Sequence, residues 1–332
     1  MPRLEDVRMS PSMSPTSSSA GAAGFPTDSA GLITARDAKA VGEQRSLLSA
    51  HRSGAVVRLR RGIYVHAARQ VEQRALDRYR DEVLAVGRQR RSAIFAGMTA
   101  AVLHGLPVVG VPAEVVLLAP GHSGRRRNGV VELARRGVEE IVREDGRQIT
   151  SIPETIIEVA RTATMLEALV IADAALRRPR FGTREPRCTS SELFEAFHRR
   201  LPFPRSLRVA AVLDRATPDA DSPLETLSRL RIEELGFPPP VLQLPVHRPG
   251  RAAASYLDFA WPEHGVWGEA DGATKYRATD DVVRPQQLLE EKRREDELRA
   301  VTGWRCARWS WRDAWDRRPL RDILIRAGLP PR

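Results

Sequence analysis

Two kinds of hydrophobic pattern run along this chain of 332 residues, one typical of helices and one typical of buried strands. Apolar residues recur at helical spacing over 153–161, Met165–Leu176 and Ser190–Arg200, while the apolar run Val115–Leu118 predicts a strand. A chain of this length exceeds what one hydrophobic core usually holds. We therefore expect a multidomain α/β fold.

The first 28 residues show no period and are rich in Ser, Pro, Ala and Gly. Such a segment cannot bury enough apolar surface to offset the entropy that is lost on ordering. We expect residues 1–28 to form a disordered tail. Three folded domains are expected after it, at 29–68, 69–216 and 217–332.

Residues 29–68 carry short helical and strand patterns separated by clear breaks. The elements expected are helices at 35–41 and 43–52 and strands at 55–59 and 63–65. Thr34 suits the cap of the first helix, and Arg60-Arg61-Gly62 suits a tight turn between the strands. Two helices followed by a basic hairpin are the outline of a winged helix-turn-helix, whose second helix enters the major groove of DNA.

The positive charge of the whole chain favours a polyanionic partner. The chain carries 53 Lys and Arg against 42 Asp and Glu, a formal net charge of +11, and each phosphate that a cation neutralises releases counterions. The residues expected to form one DNA-binding face are Arg45, His51, Arg52, Arg58, Arg60 and Arg61. The alternative is a small helical cap whose arginine-rich turn is only solvated.

The middle region, 69–216, mixes helical and strand patterns. A loop expected at 121–129 holds an arginine triplet at 125–127, which either binds phosphates or remains solvated. His104, beside a Gly-Leu-Pro turn, fits a packing or capping role. Asp173, among Ala, Ile and Leu, fits a buried structural carboxylate. No residue of this region is therefore assigned to catalysis.

A helix is expected to open the C-terminal region, 217–332. Ser222 can cap it, and Pro223 suits its first turn. The Ser-x-x-Glu capping pattern gives Glu225 a structural role at the start of this helix. The same residue is also a candidate for chemistry, because carboxylates follow it in the next two strands.

Those carboxylates interrupt strand patterns that should be apolar. Asp258 lies within a pattern over 254–260, and Glu269 lies near the end of the next one, over 266–272. Adjacent antiparallel strands joined by a short turn would bring the two side by side, where a divalent cation relieves their repulsion. Oxygen-only ligands suit Mg²⁺ or Mn²⁺, which can activate water for phosphodiester hydrolysis.

The order of these residues resembles the PD-(D/E)XK nuclease superfamily, and more narrowly the domains of unknown function akin to very-short-patch-repair endonucleases. The shared features are a helical Ser-Pro-x-Glu, an Asp-Phe strand, a Glu-x-Asp-Gly strand end and a charged helix, here at 285–300. The resemblance covers 219–332. It implies a restriction-endonuclease-like fold with a central mixed sheet and a Mg²⁺-dependent endonuclease activity in phage defence or DNA repair.

The resemblance also implies a catalytic set, namely Glu225, Asp258, Glu269, Asp271, Lys275 and Lys292. Asp258, Glu269 and Asp271 would bind the metal directly, and Glu225 would do so through water. Asp271 stands where the superfamily has its lysine, so one of the two lysines would orient the attacking water from a displaced position. The structural alternatives are a capping Glu225, an Asp-Gly turn at Asp271 and solvated lysines.

The N-terminal part resembles AbiEi-type antitoxins, a family of type IV toxin–antitoxin systems that is common in actinobacteria. The stretches that carry this resemblance are 31–65 and Ala-Ala-Val-Leu-His-Gly-Leu-Pro at 100–107. In that family a winged helix binds the operator of its own toxin–antitoxin pair. The alternative function is therefore a non-catalytic transcriptional regulator, with a cognate toxin as partner and a degenerate nuclease fold as a homodimer or partner-binding platform.

Cysteine usage and hydropathy favour a cytoplasmic location. Cys188 and Cys306 are far apart in the sequence and show no metal-ligand spacing, which is typical of a reducing compartment. No apolar run approaches the roughly 18 residues that a membrane span needs. We expect neither a signal peptide nor a membrane partner.

Overall fold

The computed structural model describes residues 24–137, 140–178, 185–251, 253–271 and 285–331, and leaves aside the side chains of 285–291. Over these ranges the chain is a mixed α/β protein that divides into two compact units. Among the described residues, the N-terminal unit runs to Thr162 and includes Ser191–Ser206, and the C-terminal unit consists of those within Ala163–Ser190 and Leu207–Arg332. Of the helices in the described ranges, none combines the length and the apolar character needed to cross a bilayer.

The N-terminal unit opens with two short helices and a small sheet. Its first elements are β1 (Ile33–Thr34), α1 (Ala35–Ala40), α2 (Gln44–Arg52), β2 (Val56–Arg60) and β3 (Ile63–His66). Strand β3 pairs antiparallel with both β1 and β2. The predicted helices and hairpin are confirmed with small shifts at their ends. Thr34 caps α1 as predicted, since its hydroxyl accepts the N–H of Asp37 at 3.0 Å.

Apolar side chains between these helices and the sheet form a core. The buried members are Ile33, Ala38, Leu47, Val56 and Tyr64. Phe25 packs against them, and Thr27 forms a β-bridge with Ile33. Residues 25–28, which their composition assigns to the tail, are thus held against the fold. The rest of the expected tail, 1–23, lies outside the described residues.

A mixed six-stranded sheet and further helices form the remainder of the N-terminal unit. Its strands are β4 (Ile94–Phe95), β5 (Val115–Leu118), β6 (Arg125–Arg127), β7 (Val130–Leu133), β8 (Ile141–Glu144) and β9 (Arg147–Thr150). Their order is β6-β7-β5-β4-β9-β8, so β6 and β8 are the two edges. The helices are α3 (Ala67–Glu72), α4 (Ala75–Gln89), α5 (Gly97–Leu103), α6 (Ile152–Thr162) and α8 (Ser190–Arg200).

The loop prediction for 121–129 is wrong at its centre, where Arg125–Arg127 form the edge strand β6. This strand pairs antiparallel with β7 and places Arg125 opposite Glu132. The Arg125 guanidinium donates to both oxygens of Glu132, at 2.8 and 3.2 Å. Three consecutive arginines carry no strand signal of their own, so the neighbouring strand and its carboxylate determine this conformation.

Buried polar residues of the N-terminal unit have local partners. His104 Nε2 lies 2.8 Å from the carbonyl oxygen of Thr150, which agrees with the packing role predicted for it. The Arg200 side chain is completely buried and donates to Glu154 at 3.1 Å and to Glu158. A buried guanidinium is tolerated only when such carboxylates compensate it. These groups therefore hold the helices of the unit together.

The C-terminal unit combines a four-stranded mixed sheet with helices. Its strands are β10 (Val241–Val246), β11 (Ser255–Trp261), β12 (Val266–Asp271) and β13 (Arg305–Ser310), and its helices are α7 (Met165–Leu176), α9 (Ser206–Leu213), α10 (Pro223–Glu234), α11 (Pro285–Thr302), α12 (Trp311–Asp316) and α13 (Arg318–Ala327). The order is β10-β11-β12-β13; β12 and β13 run parallel, and the other neighbours are antiparallel. The strands predicted around Asp258 and Glu269 and the helices α10 and α11 are confirmed.

Asp173 of α7 is buried, as predicted, and ties this helix to α10. Its carboxylate accepts from the Thr226 hydroxyl at 2.8 Å and from Arg229 at 2.9 Å. Helix α7 accordingly belongs to the C-terminal unit, whereas the sequence boundaries assign it to the middle domain at 69–216. The domain boundaries themselves stay predictions.

Candidate functional site

Helix α10 carries the first carboxylate of the candidate site, Glu225. Ser222 caps the helix by accepting the N–H of Glu225 at 3.2 Å. The Glu225 carboxylate accepts in return from the Ser222 hydroxyl at 2.8 Å and from the N–H of Asp221 at 2.9 Å. A further bond leads away from the helix, since Gln243 Nε2 donates to Glu225 Oε2 at 2.7 Å. The capping role is confirmed, and the same carboxylate also faces the sheet.

Gln243 occupies an irregular position in β10. The residues on either side of it pair regularly with β11, so Gln243 lies opposite Asp258. Its φ of 52° is left-handed, a conformation that costs a non-glycine residue about 1–2 kcal/mol. The amide nitrogen that donates to Glu225 also lies 3.5 Å from Asp258 Oδ1. One strained glutamine thus stands between two carboxyl groups.

Asp258 and Glu269 lie side by side on β11 and β12, as the sequence pattern predicts. Phe259 pairs with Gly268 in antiparallel register, which places the two carboxylates on neighbouring strands at the same level. Asp258 Oδ2 accepts the N–H of Ala270 at 3.0 Å. Because Glu269 is only 7% exposed, its charge requires compensation within the protein.

Two arginines provide that compensation. Arg294 of α11 donates to Glu269 Oε1 at 2.8 Å, and Arg308 of β13 donates to Oε2 at 2.8 Å. Arg308 is the register partner of Glu269 on the parallel strand, and it also donates to Glu295 at 3.0 Å. Both carboxylate oxygens of Glu269 are therefore engaged by guanidinium groups.

Sequence reasoning missed Gln243, Arg294 and Arg308 as members of this site. Gln243 and Arg308 each interrupt an apolar strand pattern, the same signal that pointed to Asp258, and could have been found in that way. Arg294 is one of many charged residues on α11. Its selection for the site depends on how the helix packs on the sheet.

Burial raises the pKa values of two carboxyl groups in this cluster. The pKa of Glu225 rises to about 7, mainly through burial and further through the nearby charge of Asp258. The pKa of Asp258 rises to about 6, again mainly through burial, with Glu269 adding repulsion and the Ala270 N–H and Arg294 opposing the rise. Near neutral pH the pair is therefore a mixture of ionised and protonated carboxyl groups.

The remaining predicted site residues are spread around this cluster. Asp271 ends β12 with its carboxylate 3.6 Å from Arg308, and Lys292 is exposed on α11. Lys275 lies outside the described residues. Across the described part of the chain, no three or more His, Cys, Asp or Glu side chains form a group that could hold a metal ion. The metal-ligand and lysine roles stay predictions.

The predicted DNA-binding arginines fall into two classes. Arg45 and Arg52 on α2, and Arg58 and Arg61 on the β2–β3 hairpin, are exposed. Arg60 differs, because its side chain is only 16% exposed and its Nε donates to Glu82 at 2.9 Å. Four of the five arginines are thus available to a ligand, while Arg60 is engaged within the protein.

Comparison with known proteins gives relatives for the chain. No protein-family model matches it. Uncharacterized protein MT2308 of Mycobacterium tuberculosis (strain CDC 1551 / Oshkosh) and uncharacterized protein Rv2248 of Mycobacterium tuberculosis (strain ATCC 25618 / H37Rv) are each 31% identical to it over 206 residues. The match covers 62% of this chain and 70% of each relative. The chain therefore belongs to the same family as these two mycobacterial proteins.

Proposed function

We propose that this protein binds DNA through the helices and hairpin that open its N-terminal unit, and hydrolyses phosphodiester bonds with Mg²⁺ or Mn²⁺ at the carboxylate cluster of its C-terminal unit. The observation that carries the proposal is the convergence of Glu225, Asp258 and Glu269, with burial raising the pKa of the first two. Phage defence or DNA repair is the setting that the nuclease resemblance implies.

A hard divalent cation fits the part of the cluster formed by Glu225 and Asp258. Mg²⁺ is commonly held by one or two carboxylates, with water and substrate phosphate completing its shell. The raised pKa values of these two groups come mainly from burial and also from repulsion between neighbouring carboxylates, and a divalent cation would favour their ionised forms. Asp258 would bind the metal, with Glu225 beside it or acting through water. Glu269 is less suited to the metal, because the positive charges of Arg294 and Arg308 already lie against its two oxygens.

When bound, the metal would activate water and stabilise negative charge on the phosphate. Arg294 and Arg308, which Glu269 orients, are suited to hold phosphate oxygens because guanidinium groups bind phosphate through paired hydrogen bonds. They would bring to the site the positive charge that the superfamily's lysine brings. Lys292 is exposed on α11 and could also supply positive charge in place of the superfamily's lysine.

Metal-dependent cleavage of plasmid, linear and single-stranded DNA tests the enzymatic half of the proposal. Asp258→Asn and Glu269→Gln should abolish cleavage with Mg²⁺ or Mn²⁺. Glu263→Gln is the matched control, because this carboxylate is exposed in the turn between β11 and β12, and it should cleave as wild type does. Absence of cleavage for every DNA form and both metals would overturn the enzymatic half.

Metal binding can be followed without any activity. All 6 tryptophans of the chain lie between positions 261 and 315, so their fluorescence reports on the C-terminal unit alone. A saturable change with Mn²⁺ that Asp258→Asn removes and Glu263→Gln retains would support the metal site.

The DNA-binding half rests on the outline of a winged helix-turn-helix. In that geometry α2 would enter the major groove, and the β2–β3 hairpin would contact phosphates. Arg45, Arg52, Arg58 and Arg61 are exposed, and no carboxylate among the described residues pairs with them. Replacing Arg58 and Arg61 with Gln should weaken DNA binding and lower its salt dependence by about one unit for each lost contact.

A second candidate function is a non-catalytic regulator of the antitoxin type. The observation that favours it is the engagement of both Glu269 oxygens by Arg294 and Arg308, whose positive charges oppose the binding of a cation beside them. The C-terminal unit would then serve as a platform for a second copy or for a cognate toxin. A footprint on the protein's own promoter, without cleavage, would support this candidate; the lack of any footprint would count against it.

A further inference from the structure

Arg60 links two basic hairpins within the N-terminal unit. Its Nε donates to Glu82 of α4 at 2.9 Å, and its Nη1 donates to the backbone carbonyl of Asn128. Asn128 lies in the turn between β6 and β7, with a left-handed φ of 51°. The β2–β3 hairpin therefore lies against the β6–β7 hairpin, at the end of the arginine strand.

The second hairpin displays its positive charge to solvent. The side chains of Arg125 and Arg126 are 71% and 73% exposed although they pair with Glu132 and Glu114. Arg127, next to Asn128, is exposed and pairs with no carboxylate among the described residues. Arg58 and Arg61 of the first hairpin are exposed as well, so the two hairpins that Arg60 connects carry five exposed arginines.

Protection of a sheet edge explains these exposed arginines only in part. Charged residues on an edge strand discourage pairing with another chain. A single charge can serve that purpose, whereas β6 consists of three consecutive arginines, and Arg127 among them pairs with no carboxylate of the described residues. Edge protection also gives no reason for the contact through which Arg60 holds this strand beside the first hairpin.

We infer that the Arg125–Arg127 strand is a second DNA-backbone contact, continuous with the β2–β3 hairpin, and that Arg60 is a positioning residue that holds the two hairpins together. The ligand is duplex DNA, bound through phosphates without reading of bases, because guanidinium groups pair well with phosphate oxygens. The inference rests on the proposed DNA binding of the N-terminal unit. It adds a strand from the six-stranded sheet to a surface that otherwise consists of α2 and the first hairpin.

Salt-dependent binding of the full chain to a mixed-sequence DNA duplex of about 30 base pairs, roughly three helical turns, tests the inference. Arg127→Gln should weaken binding about fivefold to tenfold near 0.1 M salt and lower the slope of log K against log salt by about 0.9. Arg143→Gln is the matched control. It removes the same charge from an exposed position on β8, at the opposite edge of the same sheet, and should leave both values unchanged.

The positioning role of Arg60 has its own readout. In an Arg60→Gln background, Arg127→Gln should change the salt slope less than it does in wild type, because the second hairpin is no longer held beside the first. An undiminished effect of Arg127→Gln in that background would overturn the positioning role. Circular dichroism of each variant establishes that the fold is retained.

The possible failures are distinguishable. If Arg127→Gln binds as wild type does while Arg58→Gln binds weakly, the second contact is overturned and the proposed DNA binding stands. If Arg143→Gln weakens binding as much as Arg127→Gln, the effect is one of net charge, and the second contact is again overturned. If the wild-type chain does not bind the duplex at all, the proposed DNA binding itself fails.

Discussion

Gln243 donates its side-chain amide to Glu225 across 2.7 Å, and thereby joins strand β10 to the first turn of helix α10. It does so from a left-handed backbone conformation, with φ at 52°. Strained residues persist where surrounding contacts over-determine them, and such residues cluster at functional sites. Here the strain directs one amide toward both Glu225 and Asp258. The amide contributes hydrogen bonds but no charge, so the carboxyl pair keeps raised pKa values.

The carboxyl pair should make the stability of the C-terminal unit depend on pH. Burial raises the folded-state pKa of Glu225 to about 7 and that of Asp258 to about 6. Between about pH 4 and pH 7 the folded unit therefore binds more protons than the unfolded chain. The free energy of unfolding should therefore fall as the pH rises through this window. Denaturant unfolding in EDTA, followed by tryptophan fluorescence, measures it.

Glu225→Gln is the control for this pH dependence. The variant cannot titrate at position 225, so its unfolding free energy should vary less between about pH 5 and pH 8. A pH profile equal to that of wild type would show that the pair is not its source. Mg²⁺ added at about pH 8 should raise the stability of wild type if the ionised pair binds the metal.

Gly268→Ala should destabilise the C-terminal unit. A Cβ at this position would lie 2.4 Å from Cη2 of Trp309, which is itself buried and donates to the Ser228 hydroxyl at 2.7 Å. Overpacking of this kind typically costs about 1–3 kcal/mol. Denaturant unfolding of wild type and variant gives the loss. In a Trp309→Leu background the same glycine replacement should cost less, and equal losses in both backgrounds would contradict the steric explanation.

Arg200→Met should destabilise the N-terminal unit by about 3–5 kcal/mol, because it removes a buried cation that donates to two buried carboxylates. Those carboxylates, Glu154 and Glu158, both lie on α6. Since the tryptophans lie in the other unit, amide hydrogen exchange of α6 is the appropriate measurement. Arg199→Met is the control, because Arg199 is the exposed neighbour of Arg200 on α8. This variant should leave the exchange of α6 nearly unchanged. Converting both glutamates to Gln alongside Arg200→Met should restore part of the protection.

Cys306 should react slowly with thiol reagents in the folded protein. Burial raises the pKa of its thiol to about 12, with the charges of Glu269 and Glu295 adding to the rise. At about pH 8 the reactive thiolate is therefore scarce, and modification should speed up greatly on denaturation. A Cys188→Ser background isolates the signal. Glu269→Gln should quicken the reaction of the folded protein, whereas Glu263→Gln should not; equal rates in the two would show that Glu269 has no influence on the thiol.

The local elements of the candidate site could be predicted from sequence because near neighbours determine them. Ser222 and Glu225 meet within one helical turn, and their reciprocal capping bonds follow from that spacing. Asp258 and Glu269 are joined by a short antiparallel connection, so their adjacency follows from strand alternation. Strand β6 is the counterexample, because its pairing depends on β7 and not on its own arginines.

Sequence by itself determined the mixed α/β class, most of the elements around the site and the carboxylates that define it. Only the tertiary structure decided how those charges are compensated: Arg294 and Arg308 engage Glu269, Gln243 lies between Glu225 and Asp258, and Arg60 faces Glu82 and Asn128. The physical reason is range. Periodicity and capping act over one or two turns, whereas the partner of a buried charge is whichever side chain the packing of distant elements brings within a few ångströms.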